Sequence, residues 1–279
     1  LSKKIFQSQS KKYVNEFINL EKNNKSSLIE IHNRPNYLKF LINKLNRRIY
    51  VLYFHNDPLT MSGSRSVVER SYLLKNCFKI IFNSNWSKKR FLDGLHNKFI
   101  NSEKLIVVFQ SAKKTNITIS KKKNWITFVG KLNKAKGYDL FGNSVLKILK
   151  YNKSWKAKVI GDEVREKIVF NHKRLEKLGF LPHKEVLQIF KQTSIAVVCS
   201  RWEEPFGRTS LEAASNGCAV IISNRGGLPE TITNGVIINN LNSNNIYKEL
   251  NKLIKNSHYR KNLQKLSYNN FYLTHNYVS

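Results

Sequence analysis

Glu204 and Glu212 are separated by seven residues within SRWEEPFGRTSLEAASNGCAVIISNRGGLPE, Ser200 to Glu230. The first lies in a Pro/Phe/Gly turn and the second inside the helix expected to follow. Paired carboxylates suit glycoside hydrolysis, where the two groups stand about 5–9.5 Å apart. Eight residues of helix span ~12 Å. The turn blurs that figure, but it still tilts against hydrolysis. A carboxylate is also the natural acceptor for the two hydroxyls of a ribose, and Glu212 suits that role. Glu204, one turn upstream, then faces a sugar. Gly207 and Arg208 open the helix and Thr209 follows; the free amides of a helix start favour a phosphate. The plainer alternative makes Glu204 a cap and Glu212 a solvated helix residue. Pro205-Phe206-Gly207 weighs against it, being an unusual entry to a helix without a ligand to serve.

A second candidate is the loop Gly130 to Gly137, GKLNKAKG, between an apolar run and a helical one. Its glycines let backbone approach a ligand, and Lys131 and Lys136 add two ammonium groups where a diphosphate would lie. The spacing is neither a dinucleotide fingerprint nor a P-loop, and a basic turn on a basic protein is an equal alternative. His32 and His55 end two strand-like runs. A lone histidine is more often structural than catalytic, but two at matching strand ends raise the odds. Gly226-Gly227 before Leu228-Pro229-Glu230 is, by itself, a common turn.

The elements that would position these residues follow one grammar. LIEI (28–31), IYVLYF (49–54), KIIF (79–82) and 105–109 read as strands, with helices at 36–46, 66–75 and 87–95 between them; Ser84 or Ser87 would cap the last. Residues 1–27 carry an amphipathic helical pattern through Ile5, Phe6, Tyr13, Val14, Phe17 and Ile18. After a polar, lysine-rich stretch the alternation restarts. WITFV (125–129), 156–160, a short strand ending at Phe180-Leu181, and 195–200 are strands. Helices fall at 138–150 and 183–192, and two more at 243–256 and 258–270. Apolar strands alternating with helices signal a parallel sheet covered on both faces. Ligands of such sheets bind beyond the carboxyl ends of the strands, where His32, His55 and Asn83 sit.

The chain has 279 residues, 41% of them apolar, enough for a large core in one or two domains. It carries no run long enough to span a membrane. Forty-nine Lys and Arg face 18 Asp and Glu, a net charge of +31. That field favours polyanions, but the basic residues are dispersed in an Asn/Ile/Lys-rich sequence, so the charge is discounted as a specific nucleic-acid signal. Cys77, Cys199 and Cys218 form no metal or disulfide pattern, which fits a reducing, cytoplasmic setting. The first residue is Leu1 and Met61 is the sole methionine.

EPFGRTSLEAASNGCAVIISNRGGLPE resembles the donor-site signature of glycosyltransferase family 4, the retaining GT-B enzymes. FVGKLNKAKGYDLF resembles that family's phosphate loop, with Lys131 where arginine is usual and Lys136-Gly137 matching. IEIHNRP and LYFHNDP resemble its acceptor-side strands. The resemblance runs from about residue 28 to the end. It implies an α/β GT-B fold of two Rossmann-like, doubly wound domains facing across a cleft. The first is expected to be incomplete, since nothing matches the family's opening strand and glycine loop. Residues 1–110 would be the partial acceptor-side domain, 111–124 a linker and 125–256 the donor domain, with the helix of 257–279 packing back towards the first.

The resemblance further implies a metal-independent, hexosyltransferase-type enzyme with no cofactor beyond a nucleotide-diphosphate sugar as co-substrate. Its acceptor would be a glycan or a lipid-linked sugar, in cell-surface polysaccharide or lipopolysaccharide synthesis. Gly130, Lys131, Lys136, Glu204, Phe206, Gly207, Arg208, Thr209 and Glu212 would bind the donor. His55, Glu204, Lys131 and Lys136 would carry the chemistry, neither glutamate as nucleophile, and His32 and Asn56 are acceptor-side candidates. The basic surface suits peripheral contact with an anionic leaflet at the cytoplasmic face of the inner membrane. Two alternatives stand beside this: a nucleic-acid-binding protein without a recognised motif, and a truncated GT-B relative that binds donor without turnover.

Overall fold

The computed structural model describes residues 9–24, 26–99 and 101–278. The chain divides into two compact units, with the boundary between Val108 and Phe109. The first runs α1 (Gln9–Asn24), β1 (Leu28–His32), α2 (Tyr37–Lys44), β2 (Ile49–Phe54), α3 (Val67–Asn76), β3 (Lys79–Phe82), α4 (Asn85–Leu92) and β4 (Leu105–Val107). Its four strands are parallel, in the order β1-β2-β3-β4. Alternate residues of the strands point into the core: Leu52, Phe54, Ile80 and Phe82 are almost fully buried, packed with Leu38 of α2 and Phe91 of α4. Local chemistry fixes the helix starts. Ser66 and Glu69 form a reciprocal capping box on α3, and the Ser84 hydroxyl accepts from the Ser87 amide to cap α4. Ile5 and Phe6 of the expected N-terminal pattern lie outside the described residues; Val14 and Ile18 of α1 are buried in the core.

The second unit runs β5 (Lys123–Val129), α5 (Tyr138–Tyr151), β6 (Lys156–Ile160), β7 (Leu175–Lys177), α6 (His183–Gln192), β8 (Thr193–Val198), α7 (Arg208–Ser215), β9 (Ala219–Ser223), β10 (Val236–Ile238), α8 (Ser243–Lys255) and α9 (Ser257–Asn269). All its strands pair in parallel, in the order β10-β9-β8-β5-β6-β7. The chain winds outward one way from β5 through β6 and β7, then returns to β8 and winds the other way. The reversal lies between β5 and β8, and in a doubly wound sheet the crevice at such a point is where ligands bind.

Several expectations shift. The short strand is Leu175–Lys177, and Phe180 is exposed beyond it. Val236–Ile238 is a strand that its three residues did not announce. The stretch 111–124 is no solvated linker: it belongs to the second unit, and β5 already begins at Lys123. The Lys122 ammonium is buried against the carbonyls of Phe190, Thr193 and Asn216 at 2.8–3.1 Å and of Lys191 at 3.3 Å, closing the C-terminal ends of α6 and α7. Residues 257–269 form α9, which packs on α7, α8 and β9 within the second unit.

Candidate functional site

The loops after β5 and β8 meet at the reversal point. The amides of Arg201 and Trp202 donate to the Ala135 carbonyl at 2.9 and 3.1 Å. Arg201 also donates to the Lys134 carbonyl at 2.7 Å and forks onto Asp139, in the first turn of α5, at 2.6 and 2.7 Å. Burial pushes the Asp139 carboxyl up, but the hydrogen bonds and charge of Arg201 outweigh it and hold the group below the usual range. Asn133, itself anchored on Glu163, accepts from the Lys136 amide at 3.0 Å. The glycines are demanded by close approach. Gly137 has φ +73°, and a Cβ there would stand 1.9 Å from the Cys199 carbonyl oxygen. Gly226 has φ +58°, and a Cβ there would stand 2.1 Å from the Glu204 carbonyl oxygen.

Glu204 is held at this junction. Its Oε1 accepts from Lys136 Nζ and from the Ser200 hydroxyl, each at 2.5 Å. Its backbone carbonyl accepts from the Gly227 amide at 2.6 Å, while neighbouring Glu203 accepts from the Gly226 amide and Arg225. The glycine pair, read alone as a common turn, is therefore the cradle that sets Glu204. Glu212 has a different set of partners: Oε1 accepts from His183 Nε2 at 2.9 Å and from Arg208 at 2.9 and 3.1 Å. Among the described residues the two glutamates share no hydrogen-bond partner, unlike an acid pair built around one bond. Both side chains are nearly buried, at 12% and 8% exposure. In each, Oε1 accepts these hydrogen bonds, and Oε2 has no hydrogen-bond partner among the described residues.

The remaining candidates sort as follows. Lys131 is exposed and has no hydrogen-bond or ion-pair partner among the described residues; Gly130, at the end of β5, lets the chain turn there. Gly207 has φ +119° and starts α7 without a side-chain cap, and Thr209 is half-buried in the first turn. Phe206 is a core residue: its ring is 2% exposed and packs against Phe109, so it shapes the turn and offers no ring to a ligand. Sequence reasoning missed His183, Ser200 and Asn133 as partners. His183 starts α6 while Glu212 lies in α7, so only the fold makes them neighbours. Ser200 and Asn133 stand four and three residues from Glu204 and Lys136 in the same loops, a spacing the sequence did carry.

The first unit gathers its own polar cluster at the strand ends. His32 Nδ1 and His55 Nε2 stand 3.0 Å apart. Asn33, left-handed at φ +55°, accepts the amides of His55 at 2.8 Å and Asn56 at 3.2 Å on its side-chain oxygen. Asn83 donates to the His55 carbonyl at 3.0 Å. Burial, and then the neighbouring His32, push the His55 pKa down.

The model of the family described as glycosyl transferases group 1 matches residues 109–270. The chain belongs to that family. A protein in the cps region of Klebsiella pneumoniae is 28% identical over 72% of this chain and 54% of its own length. Spore coat protein SA of Bacillus subtilis is 30% identical over 52% of this chain and 43% of its own. The chain thus spans about half the length of the curated relatives it matches. Among solved structures, Anabaena Alr3699/HepE in complex with UDP-glucose matches with a TM-score of 0.74 at 18% identity, over 95% of this chain and 79% of that one. Sucrose-phosphate synthase from Thermosynechococcus elongatus matches with a TM-score of 0.77 at 14% identity, over 96% and 75%. These likenesses carry the fold, an α/β GT-B architecture of parallel sheets. The family's matched range contains every donor-side candidate from Gly130 to Glu212; His32, His55 and Asn56 lie outside it.

Proposed function

We propose that this chain is a retaining glycosyltransferase that moves a hexosyl group from a nucleoside-diphosphate sugar to a glycan or lipid-linked acceptor. The observation that carries the reading is the pair of nearly buried glutamates, each held through Oε1 and with no hydrogen-bond partner at Oε2 among the described residues, at the reversal point of a doubly wound sheet. Glu212 Oε2 accepts from the ribose and Glu204 Oε2 from a sugar hydroxyl. The first amides of α7 receive the diphosphate. Lys136 keeps two of its three ammonium hydrogens beyond the Glu204 contact, and Lys131 keeps all three. Fixed cations beside the departing diphosphate stabilise the charge that develops there without a metal. His55 of the first unit accepts from a sugar hydroxyl, with His32 and Asn56 on the acceptor side. Neither glutamate acts as nucleophile; the leaving phosphate takes the acceptor's proton.

The solved relative that holds UDP-glucose supports a nucleotide-sugar donor. The cps-region and spore-coat relatives support a place in cell-surface polysaccharide synthesis, lipopolysaccharide included. No helix of the described residues is long and apolar enough to cross a membrane. The basic surface supports peripheral contact with an anionic leaflet on the cytoplasmic side.

Titration calorimetry with UDP, GDP and ADP tests the donor site. One of the three binds the wild type, and Glu212→Ala weakens it about 10- to 100-fold, the 1.5–3 kcal/mol of a charged hydrogen bond. Equal affinity in Glu212→Ala sinks the assignment.

A further inference from the structure

Parallel pairing sets Glu30 of β1 opposite Val51 and His32 opposite Tyr53 of β2. Because side chains alternate along a strand, Glu30, His32, Tyr53 and His55 project from one face. They are joined in a row. The Tyr53 hydroxyl donates to Glu30 Oε1 at 3.1 Å, and His32 Nε2 stands 3.4 Å from Glu30 Oε2. The His32 ring stacks on Tyr53 at 4.4 Å between centroids. The two imidazoles lie within 7° of one plane, and their facing nitrogens are 3.0 Å apart, the geometry of an in-plane hydrogen bond.

The direction of the row follows from the chemistry of its end. An ionised carboxylate only accepts, so His32 Nε2 carries the hydrogen that faces Glu30. In neutral His32 the other nitrogen, Nδ1, is then an acceptor. His55 Nε2 must therefore carry the hydrogen that faces it. His55, kept neutral by burial, is left with a bare Nδ1 that has no protein partner among the described residues. Its backbone is held by Asn33 and Asn83, and turning the ring about its side-chain bonds would break the contact with His32.

We propose that Glu30, acting through His32, is a positioning residue that locks His55 in its Nε2–H tautomer and makes Nδ1 a dedicated acceptor for a hydroxyl donor. A hydroxyl can donate to that nitrogen, whereas a phosphate oxygen, which needs a donor, is refused. His55 thus reads the hydroxylated part of the substrate and not its diphosphate. The identity of that hydroxyl as a sugar's rests on the function proposed above; the tautomer lock does not.

Two measurements separate the two claims. Long-range 1H–15N correlation spectra of the 15N-labelled full chain at pH 7.5 report which nitrogen of His55 is protonated. The wild type shows Nε2–H alone. Glu30→Leu removes the acceptor that orders the row, and His32→Phe keeps the stack on Tyr53 while removing the acceptor for His55; both give a mixture of tautomers. An Nδ1–H signal in the wild type, or an unchanged single tautomer in both variants, overturns the lock. Turnover of the donor identified by calorimetry then tests its use: Glu30→Leu lowers kcat/KM about tenfold with nucleotide affinity unchanged. Loss of nucleotide affinity in that variant, or unchanged kcat/KM, overturns the positioning role. A wild type that binds no nucleotide overturns the proposed function and leaves the spectra to decide the lock.

Discussion

At the scale of single residues, the protein holds each of the two carboxylates through one oxygen. Oε1 of Glu204 anchors Lys136 and Ser200 while Oε2 has no hydrogen-bond partner among the described residues, and Glu212 repeats the pattern with His183 and Arg208. Glu204→Gln should keep the fold but lose the ion pair to Lys136, lowering kcat more than nucleotide affinity; steady-state turnover set beside calorimetry checks it. The reverse order, lost affinity with intact kcat, would place Glu204 on the nucleotide. His55 gives a pH signature. Its pKa is held below the free value of about 6.5. The unfolded chain then binds the extra proton more readily as pH falls below about 6.5, so the contribution of neutral His55 to stability is full above that pH and fades beneath it. The groups facing it are His32, with Glu30 and Tyr53 behind. Urea midpoints of wild type and His55→Gln between pH 5 and 8 should reveal an acid loss in the wild type that the variant lacks.

At the scale of elements, two devices hold the loops that carry these groups. The first is backbone proximity at glycine. Gly137→Ala would drive a Cβ into the Cys199 carbonyl at a left-handed φ, and Gly226→Ala would do the same at Glu204. Each should cost about 2–4 kcal/mol of stability, strain and steric shift together, read from denaturant midpoints. The second is Lys122. One buried ammonium serves carbonyls at the ends of two helices, and a methionine in its place leaves those carbonyls unsatisfied. Lys122→Met should cost about 2–4 kcal/mol, whereas Lys123→Met, on the exposed neighbour, should stay within about 0.5 kcal/mol. Equal, small effects at both positions would make Lys122 an ordinary surface lysine. The buried thiols add no chemistry: desolvation pushes Cys77 and Cys199 up to about 12, far from reactive thiolates.

At the scale of the whole molecule, each core cluster draws its residues from one unit. One is built entirely from the first unit, and two are built entirely from the second. A fragment of residues 109–279 should therefore fold alone, with cooperative urea unfolding and dispersed amide spectra; a molten fragment would show that the second core depends on the first. The net charge of +31 acts across the whole surface. Binding to anionic vesicles should fall steeply between 50 and 500 mM salt, since dispersed charge is screened within about 10 Å at 0.1 M. Binding to DNA should be equally salt-sensitive and indifferent to sequence.

The sequence by itself determined the βα alternation, because parallel strands buried on both faces are apolar runs, and IYVLYF, KIIF and WITFV show that directly. It also marked Glu204, Glu212, Lys136 and the glycines, because their types and spacing are local to a few residues. Val236–Ile238 escaped and the short strand at Leu175–Lys177 was placed a few residues late, since three residues carry no period, and a lysine-rich stretch passed for linker because sequence does not show that one ammonium will be buried among helix ends. Only the tertiary structure decided which groups meet. Strand order brings Ala135 to Arg201, Gly226 to Glu204 and His183 to Glu212, and strand register brings Glu30 and His32 to His55. These contacts join residues 22 to 66 positions apart and are fixed by sheet pairing, not by neighbouring sequence. The two glutamates were thus legible as residues, but which oxygen of each the protein itself engages was settled by the fold.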